Sequence, residues 1–95
     1  MAAYLFVNIE VRDAERYREY VAAAPHSLER FGGKYLARGG RTEKLEGTWD
    51  PTRVVIVEFA KYDDALAWWN SEGYVALKEL RQAVTDTNMI LVEGV

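Results

Sequence analysis

The chain reads as an α+β fold in which two βαβ halves interleave into one four-stranded antiparallel sheet with both helices on one face. Three observations predict it. The apolar patterns run in the order βαββαβ over 95 residues. Three of the four strand segments look apolar on both sides. Nothing in the chain is left to cover the second side of such a sheet, so the sheet of an identical chain is the economical cover and a twofold homodimer is expected.

Tyr4 to Val11 (YLFVNIEV) is aromatic and β-branched and predicts the first strand. Asp13 can cap a helix whose stripe is Ala14, Tyr17, Val21, Ala24 and Leu28, at steps of three and four. Pro25 lacks an N–H and is expected to kink that helix or end it near Ala24, with a short helical piece at His26 to Phe31 that Gly32-Gly33 stops. Lys34 to Arg38 is a short second strand, Gly39-Gly40 suggests a bulge or bend, and Arg41 to Leu45 is expected to continue extended. Arg53 to Ala60 (RVVIVEFA) is the strongest strand, its apolar run implying burial on both faces. A helix opens at Tyr62-Asp63-Asp64, breaks at Asn70 to Gly73, and resumes to about Val84 with Ser71 as its cap. Asn88 to Glu93 is the fourth strand.

Ninety-five residues predict one domain, residues 1–95. With no Cys, neither a disulfide nor a thiolate is available. A hydrophobic content of 49% is high for so small a chain and again suggests core-like contacts with a second copy. A net charge of −3 argues against a nucleic-acid partner. No run of about 18 apolar residues predicts a membrane span. MAAYLFVNIEV lacks a basic n-region and reads as a strand rather than a signal peptide, so a cytoplasmic location is expected.

GGKYLARGG, LEGTWDPTRVVIVEF, A-x-x-W-W-N-S-E-x-Y and the closing LVEGV together resemble the domain-of-unknown-function 1330 family over nearly the whole chain. That resemblance implies a ferredoxin-like protomer of the dimeric α+β barrel superfamily, joined sheet to sheet. The superfamily includes cofactor-free monooxygenases, muconolactone isomerase-like proteins and haem-dependent chlorite dismutases. The family itself has no established reaction, so the resemblance assigns no catalytic residue.

Polar residues within apolar elements are the site candidates. Glu58 interrupts the best strand and Asn8 the first; a buried carboxylate is costly unless paired, and burial would suit it to acid–base work. Glu46, Glu58 and Glu93 with Arg38, Arg53 and Arg81 suggest an ion-pair network, with the pairing open. Trp68 and Trp69 are about 100° apart on a helix, so one should face the sheet and the other a cleft or the second chain. Ser71 begins a helix, where an anion or ordinary capping could use the backbone N–H groups. The expected ligand contacts are Asn8, Arg38, Glu58, Trp69, Ser71 and Tyr74, around a small organic ligand between sheet and helices. A cofactor-free oxygenase- or isomerase-like enzyme and a non-catalytic dimeric module are the alternatives. His26 is the only histidine, so no metal centre is expected. G-x-G-x-x-G and P-loop spacings are absent, and no cofactor is expected.

Overall fold

The computed structural model describes residues 1–95. Its elements are β1 (Ala3–Val11), α1 (Ala14–Glu29), β2 (Lys34–Arg38), β3 (Val54–Phe59), α2 (Tyr62–Trp69), α3 (Glu72–Val84) and β4 (Thr85–Glu93). The strands form one sheet in the order β2-β3-β1-β4, every pair antiparallel. This is the ferredoxin-like βαββαβ arrangement expected from the sequence.

Alternation divides the sheet. Leu5, Val7, Ile9, Val55, Val57 and Phe59 point at the helices and form the core with Tyr17, Tyr20, Ala24, Leu28, Trp68, Tyr74 and Val84. Phe6, Ile56, Ile90 and Val92 occupy the other face, where Phe6 stands opposite both Ile56 and Ile90. The molecule is only 16 Å along its shortest axis, the thickness of one sheet and one helix layer. Phe6 and Ile90 are consequently 41% and 64% exposed.

Several local expectations are corrected. α1 does not end near Ala24 but runs through Pro25 to Glu29. Pro25 has no N–H for the carbonyl of Val21, and Arg38 Nη2 supplies the missing donor at 2.8 Å. The helix then closes on Gly32 at φ 76, with the Gly33 N–H donating back to the Leu28 carbonyl at 2.9 Å.

The irregularity in β2 lies between Tyr35 and Ala37, upstream of the Gly39-Gly40 position expected for it. It puts Tyr35 opposite Val57 and Arg38 opposite Val55, so both align with the helix-facing parity of β3. Arg41 to Leu45 is not strand. Residues 39–53 form an exposed connection, tied down by Lys44 to Asp50 at 2.9 Å and by Thr52 Oγ1 donating to the Ile9 carbonyl at 2.7 Å.

β4 begins at Thr85 rather than Asn88, directly after α3. Its first residues alternate, with Thr85 and Thr87 inward and sharing a 2.8 Å hydrogen bond while Asp86 and Asn88 face out. The Arg12 guanidinium caps the end of α3, donating to the Gln82, Ala83 and Thr85 carbonyls.

Candidate functional site

A cavity lies between the sheet and the helices. β1 and β3 furnish its apolar floor. Tyr17, Tyr20 and Leu28 of α1, Trp68 of α2 and Arg81 of α3 form the roof, and Tyr35, Arg38 and Arg53 stand at the β2–β3 side. Its volume is about 30 Å³. A water needs at least about 10–15 Å³ on this measure, so the cavity has room for about two waters or a group of similar size.

The roof is an aromatic assembly. Tyr17 and Tyr20 stack at 5.7 Å, and Trp68 lies 4.1 Å from the Tyr74 ring. The Trp68 indole N–H donates to Ser27 Oγ at 3.2 Å, and Ser27 donates to the Ala24 carbonyl at 2.7 Å, so the buried indole is satisfied. The Tyr20 and Tyr74 hydroxyls share a hydrogen bond of 2.7 Å, and Arg81 Nε donates to the Tyr74 hydroxyl at 3.2 Å. Burial, then the neighbouring Tyr74 and their shared hydrogen bond, push the Tyr20 phenol far above its ordinary range, against the opposing pull of Arg81. Burial also raises Tyr35, with Arg38 pulling the other way from 4.5 Å over its ring.

Three guanidiniums reach this cavity with graded exposure. Arg38 is exposed, Arg53 half-buried and Arg81 only 3% exposed. The ion pairs of the chain are Arg12–Asp86 and Lys44–Asp50, and neither involves these three. The expected arginine–glutamate network is therefore not formed. Glu46 and Glu93 are exposed on the connection and at the strand end.

Glu58 is the largest departure from expectation. It belongs to the Val54, Ile56, Glu58 parity of β3, on the face turned away from the helices, opposite Tyr4 and Lys34. Asn8 shares that face, and its Oδ1 accepts from the Thr52 N–H at 2.9 Å. Neither lines the cavity. Of the six expected contacts only Arg38 does so directly. Tyr74, fully buried, stands behind the wall and holds Tyr20 and Arg81. Trp69 is half-buried in an adjacent apolar cleft with Leu66 and Leu91, and Lys78 Nζ lies 3.8 Å over its ring. Ser71 is the N-cap residue of α3 as expected, but its side chain makes no capping bond; its hydroxyl donates to the Trp68 carbonyl at 2.7 Å, closing the joint between α2 and α3. His26 is exposed in the last turn of α1, and no cluster of three or more His, Cys, Asp or Glu occurs.

Tyr17, Tyr20, Tyr35, Arg53 and Arg81 were not among the expected contacts. Arg53 shares the parity of Val55 and Val57, and Arg81 falls on the α3 stripe of Tyr74, Leu77 and Val84. A cation on an apolar stripe is the signal that could have marked Arg81.

No functionally curated protein matches the chain. Among solved structures it is similar to RPA0582, a protein of unknown function from Rhodopseudomonas palustris, at 20% identity and a TM-score of 0.81, over 99% of this chain and 82% of that one. It is similar to a dimeric ferredoxin-like protein of unknown function from Jannaschia sp. CCS1, at 12% identity and a TM-score of 0.73, over 99% and 100% of the two chains. It is also similar in fold to SnoaB, a cofactor-independent oxygenase from Streptomyces nogalater, at 13% identity and a TM-score of 0.72, over 99% and 93%. The model of the domain of unknown function DUF1330 matches residues 2–95, and the chain belongs to that family.

Proposed function

We propose that the chain is a homodimer whose protomers each bind a small organic ligand in the cavity between sheet and helices. The observation that carries the reading is the cavity itself, a void at the centre of the core on which Tyr20, Tyr35, Arg38, Arg53 and Arg81 converge among apolar walls. A protein interior is close-packed, and polar groups gathered round a central void are a poor way to build stability. They are a good way to orient a bound molecule.

The dimer reading is supported by the uncovered apolar face of the sheet and by the dimeric state named for the Jannaschia protein. Light scattering at micromolar concentration tests it, with twice the 10.9 kDa chain mass expected. A thermal-shift screen of small organic compounds tests the ligand reading. Hits should stabilise the protein in proportion to the logarithm of their concentration above Kd.

A catalytic reading draws support from the shared fold with SnoaB. In that case a ligand found by the screen would be consumed with oxygen uptake. The cavity wall carries no Asp, Glu or His, so a proton-abstracting base would have to come from elsewhere.

A further inference from the structure

Every ionised group facing the cavity is a cation, and from this we infer that the ligand is a small organic carboxylate, its carboxylate held by Arg53 and Arg81 and its apolar body lying against the floor and Trp68. The inference rests on the ligand-binding reading above and names the chemistry of the occupant.

Four observations support it. Arg81 is 3% exposed, with no carboxylate within ion-pair distance. Its Nε is spent on the Tyr74 hydroxyl at 3.2 Å, which pins the guanidinium, while its two Nη groups make no hydrogen bond within the chain. Arg53 Nε is buried and finds no acceptor anywhere in the protein. Gly39, at φ +68, lies against the Arg53 guanidinium, in the space a Cβ there would take. The Arg53 guanidinium therefore packs on the backbone at the end of the second strand.

Guanidinium does not deprotonate in proteins, so these charges cannot be relieved by titration. The nearby hydroxyls do not neutralise them either, because burial holds Tyr20 in its uncharged form. Glu58 is on the opposite side of the sheet, and so is the face on which a second copy is expected to pack. A counter-anion must come from solution. Carboxylate matches the planar fork of arginine with two parallel hydrogen bonds. Eleven of the fourteen residues around the cavity are hydrophobic, which an inorganic anion would leave unused. The cavity, about 30 Å³, takes the carboxylate and the first carbons of the apolar body; it is open at exposed Arg38, the side from which the rest of the ligand extends.

The test is calorimetric titration and thermal shift of the intact protein with benzoate, phenylacetate and hexanoate, each beside its neutral amide, and with phosphate at matched ionic strength. The acids are expected to bind and raise Tm, and the amides are not. Arg53→Gln should weaken acid binding by about thirtyfold or more, the cost of removing one partner of a buried charge pair. Arg53→Lys keeps the charge and should lose less. Arg53 is half-buried, so these variants are expected to fold; a retained far-ultraviolet spectrum checks it. Amides binding as well as acids would overturn the anion inference and leave the pocket reading standing. Phosphate reproducing the full shift, lost in Arg53→Gln, would overturn the organic part. No binding by any acid or amide would overturn both.

Discussion

The two faces of the sheet carry similar apolar residues and different sets of polar groups, cations alone on one and mixed charges on the other. The helix side holds Arg53 and Arg81 against tyrosines, with no acid among them. The open side holds Glu58, Asn8 and Lys34, spread across β1, β2 and β3 between Phe6, Ile56 and Ile90. On the proposed reading, charge rather than hydrophobicity separates the face suited to a small ligand from the face suited to a second protein chain. A face that packs against a copy of itself meets its own charges, so scattered and mixed polar residues suit it. A face that waits for an anion keeps cations of one sign together.

Damage to the helix side should have the largest effect. Phe59→Ala removes a fully buried ring packed on Trp68 at 5.9 Å and should cost about 3–5 kcal/mol in urea unfolding. Ile90→Glu is the matching change on the open side. It should leave the far-ultraviolet spectrum intact while turning the dimer to monomer at micromolar concentration, since a charge desolvated in an apolar interface costs several kcal/mol, roughly 3–5. A variant that stays dimeric by light scattering would remove this face from the interface. Ser27→Ala probes the roof more gently: the Trp68 indole loses its acceptor, at an expected cost of about 1–3 kcal/mol.

Alkaline pH gives a graded test of the same side. The folded protein holds the Tyr20 proton more tightly than the unfolded chain, whose phenol titrates near pH 10.0. The stability from this group is complete below that pH and declines above it, by up to about 1.4 kcal/mol per pH unit. Tyr20→Phe should flatten the fall of Tm between pH 10 and 11 relative to the parent. The smallest effect belongs to Glu58→Gln. It should change unfolding free energy by no more than about 0.5 kcal/mol and leave ligand-induced thermal shifts unaltered. A lost shift would return Glu58 to the site.

Most of the fold is legible in the sequence because each element keeps its own period. The strands β1 and β3 are short aromatic and β-branched runs, and α3 repeats at three and four. What is not legible is which side of a two-sided strand meets the helices. Val55, Val57 and Phe59 look no different from Val54 and Ile56, so the side taken by Glu58 carries no local mark. Arg38 is hidden for another reason. Simple alternation would set it against the parity of Tyr35, and only the irregularity between Tyr35 and Ala37 brings the two together. Arg81, by contrast, is readable on its stripe. Its missing partner is not, because the absence of a nearby carboxylate is a property of the folded chain alone.

The meeting of Pro25 and Arg38 has a thermodynamic consequence. The Val21 carbonyl, left without its helical donor, draws on the same guanidinium that stands at the mouth of the cavity. It is an internal competitor for any oxyanion arriving there. Restoring a backbone donor with Pro25→Ala would relieve that competition, so one proline in the first helix sets how much of Arg38 is on offer to a ligand.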